Sequence, residues 1–148
     1  MTDTGATGQA TAEVAVVRDF LAALERLDVD AVLALADDEI VYQNVPLPPA
    51  RGREAFEKQV RWMAKELTGF EARIVNIAGN GPIVLTERVD VLARGRFRTE
   101  FWACGTFEVR GGKVVVWRDR FDYADVTVAS LKGAARALAG ALAARRSG

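Results

Sequence analysis

The second half of the chain consists of stretches in which apolar and polar residues alternate, as they do in half-buried β-strands. Strands are predicted at residues 70–77, 83–93, 97–109 and 114–123. Short polar or glycine-rich segments at 79–81, 93–96 and 111–112 separate them and are typical of hairpin turns. Because the strands follow one another directly, the sequence predicts an antiparallel meander.

Apolar residues recur at helical spacing in the first half of the chain and at its end. Helices are predicted at residues 11–27, 28–36, 52–67 and 127–146, and a strand of mixed polarity at 38–45. Asp30 is the predicted N-cap of the short second helix. Residues 1–10 are polar and predict a disordered tail ahead of a single domain spanning 11–148.

The order of these elements predicts an α+β fold. The sheet is expected to be curved and mixed or antiparallel, because most of its strands are consecutive. Helices are expected to cover the concave face of this sheet and to leave a cone-shaped pocket between the two layers.

Charged residues occupy positions in two strands where the alternation calls for apolar side chains. Arg88 and Asp90 point to the same face, about 6.8 Å apart along their strand. Asp119 lies in an apolar row between Trp117 and Phe121. A charge in such a row is costly unless it is paired, so the pattern indicates a buried acid–Arg–acid cluster suited to acid–base chemistry.

Each of these residues also has an ordinary structural interpretation. Arg88 and Asp90 would fit a simple ion pair on one strand. Asp119 lies between Arg118 and Arg120 in sequence and would fit a solvated charge run, although the apolar neighbours on its own face argue against that.

A second polar pair lies on the first predicted strand, where Tyr42 and Asn44 share a face. Both side chains donate and accept hydrogen bonds, so together with a carboxylate they are able to hold a water molecule. The alternatives are a packing role for Tyr42 and a turn-capping role for Asn44 before Pro46.

Composition narrows the class of chemistry. The 148 residues include 20 basic and 20 acidic ones, so no nucleic-acid partner is expected. A membrane span needs an apolar run of about 18 residues; the sequence shows none, so no membrane partner is expected either. The single cysteine, Cys104, excludes an internal disulfide and fits a cytoplasmic protein. The chain has no histidine, which excludes Ser-His-Asp and Cys-His catalysis and His-ligated zinc.

Three segments around these residues resemble the limonene-1,2-epoxide hydrolase family. They contain the runs Tyr42-Gln43-Asn44, Arg88-Val89-Asp90 and Trp117-Arg118-Asp119, in the family's order. The resemblance covers about Val14 to Tyr123. It implies the cystatin-like cone of sheet and helices that the family shares with nuclear transport factor 2 and ketosteroid isomerase, in agreement with the predicted layout.

The resemblance also implies a one-step hydrolysis of an epoxide without cofactor or metal. Asp119, Tyr42 and Asn44 would hold a water, and Asp119 would take its proton as the water attacks an epoxide carbon. Asp90 would protonate the epoxide oxygen, and Arg88 would hydrogen-bond both acids. The residues by themselves leave open which aspartate is the acid and which the base.

Side-chain alternation directs an apolar set of residues towards the predicted pocket. This set is Leu92, Phe101, Ala103 and Phe121, with Trp62 or Met63 closing the pocket. Such walls predict an apolar substrate, namely an epoxide of a terpene, a cycloalkene or a lipid.

Family members are commonly homodimers, and the apolar outer strand face of Leu85, Val89 and Val91 fits that state. Two other functions remain open. One is an isomerase or a polyketide or polyether cyclase on the same fold, which would use the same acids but exclude water. The other is a non-catalytic module that binds an apolar ligand, which would not need two acids around one arginine.

Overall fold

The computed structural model describes the backbone of residues 4–147 and the side chains of 11–147, and its elements are named in chain order. The helices are α1 (Thr4–Glu25), α2 (Val29–Ala34), α3 (Arg53–Glu66) and α4 (Tyr123–Arg146). The strands are β1 (Ala36–Asn44), β2 (Ala50–Arg51), β3 (Gly69–Asn80), β4 (Ile83–Arg94), β5 (Phe97–Arg110) and β6 (Lys113–Phe121).

The strands form one six-stranded sheet in the order β2-β1-β6-β5-β4-β3. The predicted meander is confirmed, because β3, β4, β5 and β6 pair consecutively and antiparallel. β1 joins the sheet parallel to β6, so the sheet is mixed. The α+β fold class is therefore confirmed. The parallel pairing places the end of β1 beside the end of β6, where Asn44 lies opposite Asp119.

The hairpin turns are two residues long. Gly111 and Gly112 have φ values of 55° and 74°, the left-handed pair that connects β5 to β6 in a tight hairpin. Between β3 and β4, Asn80 pairs with Ile83, so the turn is Gly81-Pro82 and lies later than the predicted segment 79–81. Gly81, with a φ of 57°, provides the conformation that this turn requires.

Several predicted boundaries are wrong. α1 begins at Thr4, so the predicted tail is helical from residue 4, where alanines and a glutamine favour the helix; residues 1–3 lie outside the described residues. The N-cap of α2 is Asp28, whose carboxylate accepts a hydrogen bond of 3.1 Å from the Ala31 N–H, instead of Asp30. α4 begins at Tyr123, because the Asp122 carboxylate caps it by accepting hydrogen bonds from the backbone N–H groups of Ala124 and Asp125.

The short strand β2 was not predicted. It consists of two residues that follow the proline-rich segment and pair antiparallel with β1. Two residues are too few to produce a readable alternation.

The hydrophobic core lies between the inner face of the sheet and helices α1 and α3. α1 contributes a stripe of buried side chains at helical spacing, Val17, Phe20, Leu21 and Leu24, and α3 contributes Phe56 and Val60. The sheet contributes Val84, Phe107 and Trp117. Phe20 contacts the Phe107 and Trp117 rings at centroid distances of 6.2 and 5.4 Å. This aromatic layer forms the floor beneath the polar residues of the inner face.

α4 packs against β5 through its first half and is exposed beyond it. Gly133 lies so close to the carbonyl oxygen of Arg98 that a Cβ atom there would clash. Leu131, Leu138 and Leu142 are 50–66% exposed. By length and composition α4 could cross a membrane, and only 6% of its apolar stretch is buried. A single helix of this kind is weak evidence of a membrane span, and Lys132 and Arg136 interrupt its apolar residues. The sequence reading had found no such segment because the alanines make it only moderately apolar.

The predicted outer apolar strand face is only partly present. Leu85 is 53% exposed, but Val91 is 1% exposed. Val91 lies between Glu71 and Glu100 in the strand register, and both glutamates form ion pairs with Arg73. Since long charged side chains bury the apolar surface they cross, Val91 does not contribute to an exposed patch.

Candidate active site

Arg88 is fully buried and uses all five of its N–H groups in hydrogen bonds. Its Nε donates to Asp90 Oδ1 at 3.0 Å and its Nη2 to Asp90 Oδ2 at 2.9 Å. Nη1 and Nη2 donate to Asp119 Oδ1 and Oδ2 at 3.2 and 2.8 Å. Nη1 also donates to Thr86 Oγ1 at 2.9 Å. The guanidinium therefore holds both carboxylates, each at two oxygens, and fixes their relative geometry.

The sheet register explains how three strands bring these groups together. Thr86, Arg88 and Asp90 alternate along the inner face of β4. Thr86 pairs with Gly105 on β5, and Gly105 pairs with Asp119 on β6. Arg88 thus reaches Asp119 by crossing over β5 at a residue without a side chain.

Gly105 is required by this crossing. A Cβ atom at Gly105 would clash with Arg88 Nη1, would lie 2.6 Å from Thr86 Oγ1, and would lie 2.8 Å from Asp119 Oδ1. Sequence reasoning missed this residue, although an isolated glycine inside a strand is a known sign of a close approach. It also missed Thr86, which the alternation places on the same face as Arg88.

The pKa values of Asp119 and Arg88 are both raised, but for different reasons. Burial raises the pKa of Asp119 above its usual range, and the charge and hydrogen bonds of Arg88 only partly oppose this. Burial alone would lower the pKa of Arg88, but the attraction of Asp119 and Asp90 outweighs it, so the pKa of Arg88 is raised. Arg88 therefore stays charged, and the Asp119 carboxylate is more basic than an exposed one.

Tyr42 and Asn44 lie beside Asp119, the arrangement that the resemblance implied. They pair in the parallel register with Trp117 and Asp119 respectively. The Asn44 Nδ2 group donates a hydrogen bond of 2.9 Å to the Tyr42 hydroxyl. Burial, followed by the Asp119 charge, raises the pKa of Tyr42 to about 12, so the phenol stays protonated and its O–H remains a donor.

Trp117 adds a further donor that sequence reasoning had treated only as an apolar neighbour. Its ring centroid lies 4.5 Å from that of Tyr42 at an interplanar angle of 41°, and the residue is 3% exposed. Its Nε1–H makes no hydrogen bond with a described residue. The indole nevertheless lies close enough to Asp119 to favour the ionised carboxylate. A buried donor of this kind is available to a bound molecule.

The five predicted polar residues stand together around a largely apolar cavity. Tyr42, Asn44, Asp90 and Asp119 line this cavity of about 330 Å³, while Arg88 lies behind the two carboxylates. Its apolar walls are Leu67, Phe70, Leu92, Phe97, Phe101 and Phe121, and Trp62 and Met63 of α3 line it as well. The volume lies within the range of small-molecule sites.

Ala103 is the one predicted wall residue that does not line the cavity. It pairs with Arg88 on one side and Phe121 on the other and is fully buried. Its methyl group is too short to reach past those neighbours, so the larger side chains form the wall.

The geometry supports paired proton transfer. Two carboxylates on one guanidinium resist double ionisation, so one of them holds a proton more tightly than the other. The charged carboxylate is able to accept a proton from a molecule bound in the cavity, and the protonated one is able to donate. Within the described residues, no group of three or more His, Cys, Asp or Glu side chains is placed to hold a metal ion.

Comparison with known proteins identifies the family of this chain and agrees with its fold. Residues 11–132 match the family described as the limonene-1,2-epoxide hydrolase catalytic domain. Epoxide hydrolase EphG of Mycobacterium tuberculosis is 42% identical over 117 residues, which cover 79% of this chain and 78% of EphG.

Two solved structures have folds similar to that of this chain. An LEH-like epoxide hydrolase from M. tuberculosis superposes with a TM-score of 0.83 at 38% identity, covering 88% of this chain and 98% of that one. An NTF2-like protein from Burkholderia xenovorans, 22% identical, superposes with a TM-score of 0.65 over 82% of this chain and 97% of its own. This second likeness concerns the fold alone.

Proposed function

Since this chain belongs to the limonene-1,2-epoxide hydrolase family, we propose that it is a cofactor-independent epoxide hydrolase. The substrate is a predominantly apolar epoxide of the terpene, cycloalkene or lipid type, and the product is a vicinal diol. The observation that carries the proposal is the buried Arg88, which clamps Asp90 and Asp119 at the polar end of an apolar cavity.

Asp119 acts as the general base in this mechanism. A water molecule lies between the Asp119 carboxylate, the Tyr42 hydroxyl and the Asn44 amide. Asp119 takes a proton from this water while its oxygen attacks one epoxide carbon. The raised pKa of Asp119 makes its ionised form a stronger base, but it also favours the protonated form, so the base role rests on the position of Asp119 beside Tyr42 and Asn44 and not on its pKa. The neighbouring indole N–H of Trp117 is available to steady the same water or carboxylate.

Asp90 acts as the general acid. It lines the cavity and, when protonated, donates to the epoxide oxygen as the carbon–oxygen bond breaks. The step ends with a proton on Asp119 and a charge on Asp90, so exchange with solvent must restore the starting state. Arg88 hydrogen-bonds both acids throughout, which keeps their geometry constant while the proton count on each changes.

The walls of the cavity support an apolar substrate. Phe101 and Phe121 lie with ring centroids 5.5 Å apart, and Leu92 and Phe70 continue the apolar surface. Burying a hydrocarbon skeleton there is favourable by about 25 cal/mol per Å². It also removes bulk water from the carboxylates, so the water that is held is the one positioned for attack.

An isomerase or a cyclase is the alternative on this fold. Such an enzyme would use the same acids but would need to exclude a nucleophilic water. The partnership of Tyr42, Asn44 and Asp119 supports hydrolysis, because three polar groups converge where such a water would lie.

The chain is further proposed to act as a cytoplasmic homodimer. Leu85, Val75 and Trp102 are 48–57% exposed on the outer face of the sheet, where a second copy would cover them.

Single-turnover hydrolysis in ¹⁸O-water tests the mechanism, with the enzyme in excess over limonene oxide or cyclohexene oxide. Direct attack by water labels the diol in the first turnover. An unlabelled first diol would show that a protein carboxylate supplied the oxygen and would overturn the role given to Asp119. Failure to form any diol from a panel of epoxides of increasing size would overturn the function itself.

A further inference from the structure

Two hydroxyl groups face each other in the cavity, away from the Arg88 cluster. Thr99, on the inner face of β5, is 4% exposed, and Ser130 lies on α4. Both residues line the cavity. Their oxygens lie 3.5 Å apart, which is longer than the 2.5–3.0 Å of a normal O–H···O hydrogen bond. The two hydroxyls therefore satisfy each other poorly.

The surroundings of this pair are apolar. Phe97, Phe101 and Val126 line the same part of the cavity. A buried hydroxyl among such side chains is costly unless it finds a partner. Binding sites of this kind are mostly apolar, and a few convergent polar groups fix the orientation of the ligand.

The pair is held rigidly. Gly133 lies one turn after Ser130 and contacts the Arg98 backbone, the residue before Thr99, so closely that no side chain fits between them. The glycine thereby anchors α4 on β5 at the point where the two hydroxyls meet. A prearranged pair loses little entropy when a ligand binds.

The distance from the reacting centre is defined by the strand register. Phe101 pairs with Asp90, and Thr99 lies two residues further along β5. The Thr99 hydroxyl is therefore displaced by about 7 Å along the strand from the level of Asp90. A molecule whose epoxide oxygen contacts Asp90 would need a second polar group about one ring away to reach Thr99.

Building on the proposed epoxide hydrolysis, we propose that Thr99 and Ser130 form a polar subsite for a hydroxyl or carbonyl oxygen on the substrate. The substrate class is then an oxygenated epoxide with an apolar skeleton, and plain hydrocarbon epoxides are poorer substrates. A substrate oxygen between the two side chains accepts from one hydroxyl, and a substrate hydroxyl also donates to the other.

The test uses two epoxides of the same shape. One is α-terpineol 1,2-epoxide, which carries a hydroxyl across the ring from the oxirane, and the other is its tert-butyl analogue, in which a methyl group replaces that hydroxyl. The wild-type enzyme is expected to favour the hydroxylated epoxide in kcat/KM. The double variant Thr99→Val/Ser130→Ala is expected to lose roughly tenfold on it and to keep its rate on the analogue.

Thr106→Val is the matched control. Thr106 lies on the same strand but on the outer face, where its hydroxyl accepts from Arg120 at 3.5 Å. This variant is expected to treat both epoxides as the wild type does. Equal rates of the wild type on the two epoxides would overturn the subsite. So would a double variant that loses equally on both, because that pattern indicates only a structural tie between α4 and β5.

A binding measurement separates the subsite from the proposed function. Trp62 and Trp117 line the cavity, so quenching of tryptophan fluorescence reports binding without turnover. α-Terpineol is expected to bind more tightly than the hydrocarbon with tert-butyl in place of its hydroxyalkyl group, and the double variant is expected to lose this preference. If that holds although neither epoxide is hydrolysed, the subsite stands and the hydrolase function fails. Equal binding of both compounds by the wild type would overturn the subsite.

Discussion

Two arginines each bridge two carboxylates across the sheet, Arg88 on its inner face and Arg73 on its outer face. Each pairs with an acid two residues away on its own strand and with a second acid two strands distant. Arg88 is 0% exposed, whereas the Arg73 side chain is 47% exposed. The same arrangement of charges therefore occurs once in a dry environment and once in water.

The difference lies in what surrounds the charges. Around Arg88, burial raises the pKa of Asp119, and the charges of Arg88 and Asp90 also shift this pKa because little water screens them. Around Arg73, water screens the charges, and exposed ion pairs of this kind contribute about 0–1 kcal/mol to stability. Burial, and not the presence of an acid–Arg–acid pattern, converts the inner cluster into a site able to transfer protons.

The largest effect is expected from removing either inner acid. Asp119→Asn and Asp90→Asn are each expected to lower diol formation at least ~10²-fold, because both acids act in one transition state of the proposed mechanism. The double variant is expected to be hardly worse, since the two act as a unit. Initial rates with limonene oxide or cyclohexene oxide measure this.

Glu100→Gln on the outer face is the matched control and is expected to keep the wild-type rate. An Asp90→Asn variant with most of its activity would contradict the acid role of Asp90. A large loss of activity in Glu100→Gln would show that a surface charge affects the rate as an inner acid does, and would contradict the distinction between the two faces.

Substituting lysine for each of the two arginines is expected to affect activity only on the inner face. Arg88→Lys is expected to lose at least about tenfold in kcat/KM, because lysine has three donors where five are used, and each hydrogen bond to a charged group is worth about 1.5–3 kcal/mol. Arg73→Lys is expected to leave kcat/KM unchanged. Circular dichroism must show both variants folded, and equal kinetic losses would contradict the assignment.

The inner cluster was predictable from sequence because alternation alone places Arg88, Asp90 and Asp119 in apolar rows. The outer cluster was not predicted, because Arg73 and Glu100 lie on strands separated by β4. Their contact depends on the register of the strands, which the sequence pattern does not give. Register also hid the role of Gly105, which matters only once Thr86 and Asp119 are known to be its partners.

The sequence predicted which face of the sheet lines the pocket. It did not predict which side chains on that face are long enough to reach the cavity. Alternation correctly directed Leu92, Phe101 and Phe121 inward, but it also directed Ala103 inward, because it carries no information on side-chain reach. The cap at Asp122 is a local signal that sequence reasoning missed. The contribution of α4 to the pocket could not be read from sequence, since the close approach of Gly133 to β5 is a tertiary feature.

The pH dependence of activity is expected to follow the inner cluster. Asp119, the proposed base, works when ionised and its pKa is raised, so kcat/KM should fall as the pH decreases through a value above the usual carboxylate range. Glu100→Gln should leave this profile in place. An acid limb at the ordinary aspartate pKa would argue that Asp119 is not the group whose protonation stops the reaction.

The smallest effect is expected on stability, and it differs in sign between the faces. Because the folded-state pKa of Asp119 is raised, its ionisation opposes folding once the pH exceeds the unfolded value, and this cost grows until the pH passes the folded value. Asp119→Asn removes that charge, so its free energy of unfolding relative to wild type should rise as the pH is increased above the unfolded-state pKa of about 4, until the pH passes the raised folded-state pKa. Glu100→Gln should instead lower stability by less than about 1 kcal/mol, and by still less at high salt, because its ion pair with Arg73 is exposed. Urea unfolding of both variants at several pH values and salt concentrations measures the difference. If Asp119→Asn lost stability steadily as the pH rose, the ionised carboxylate would be a net stabilising group, and the inner cluster would be a buried version of the outer ion pairs.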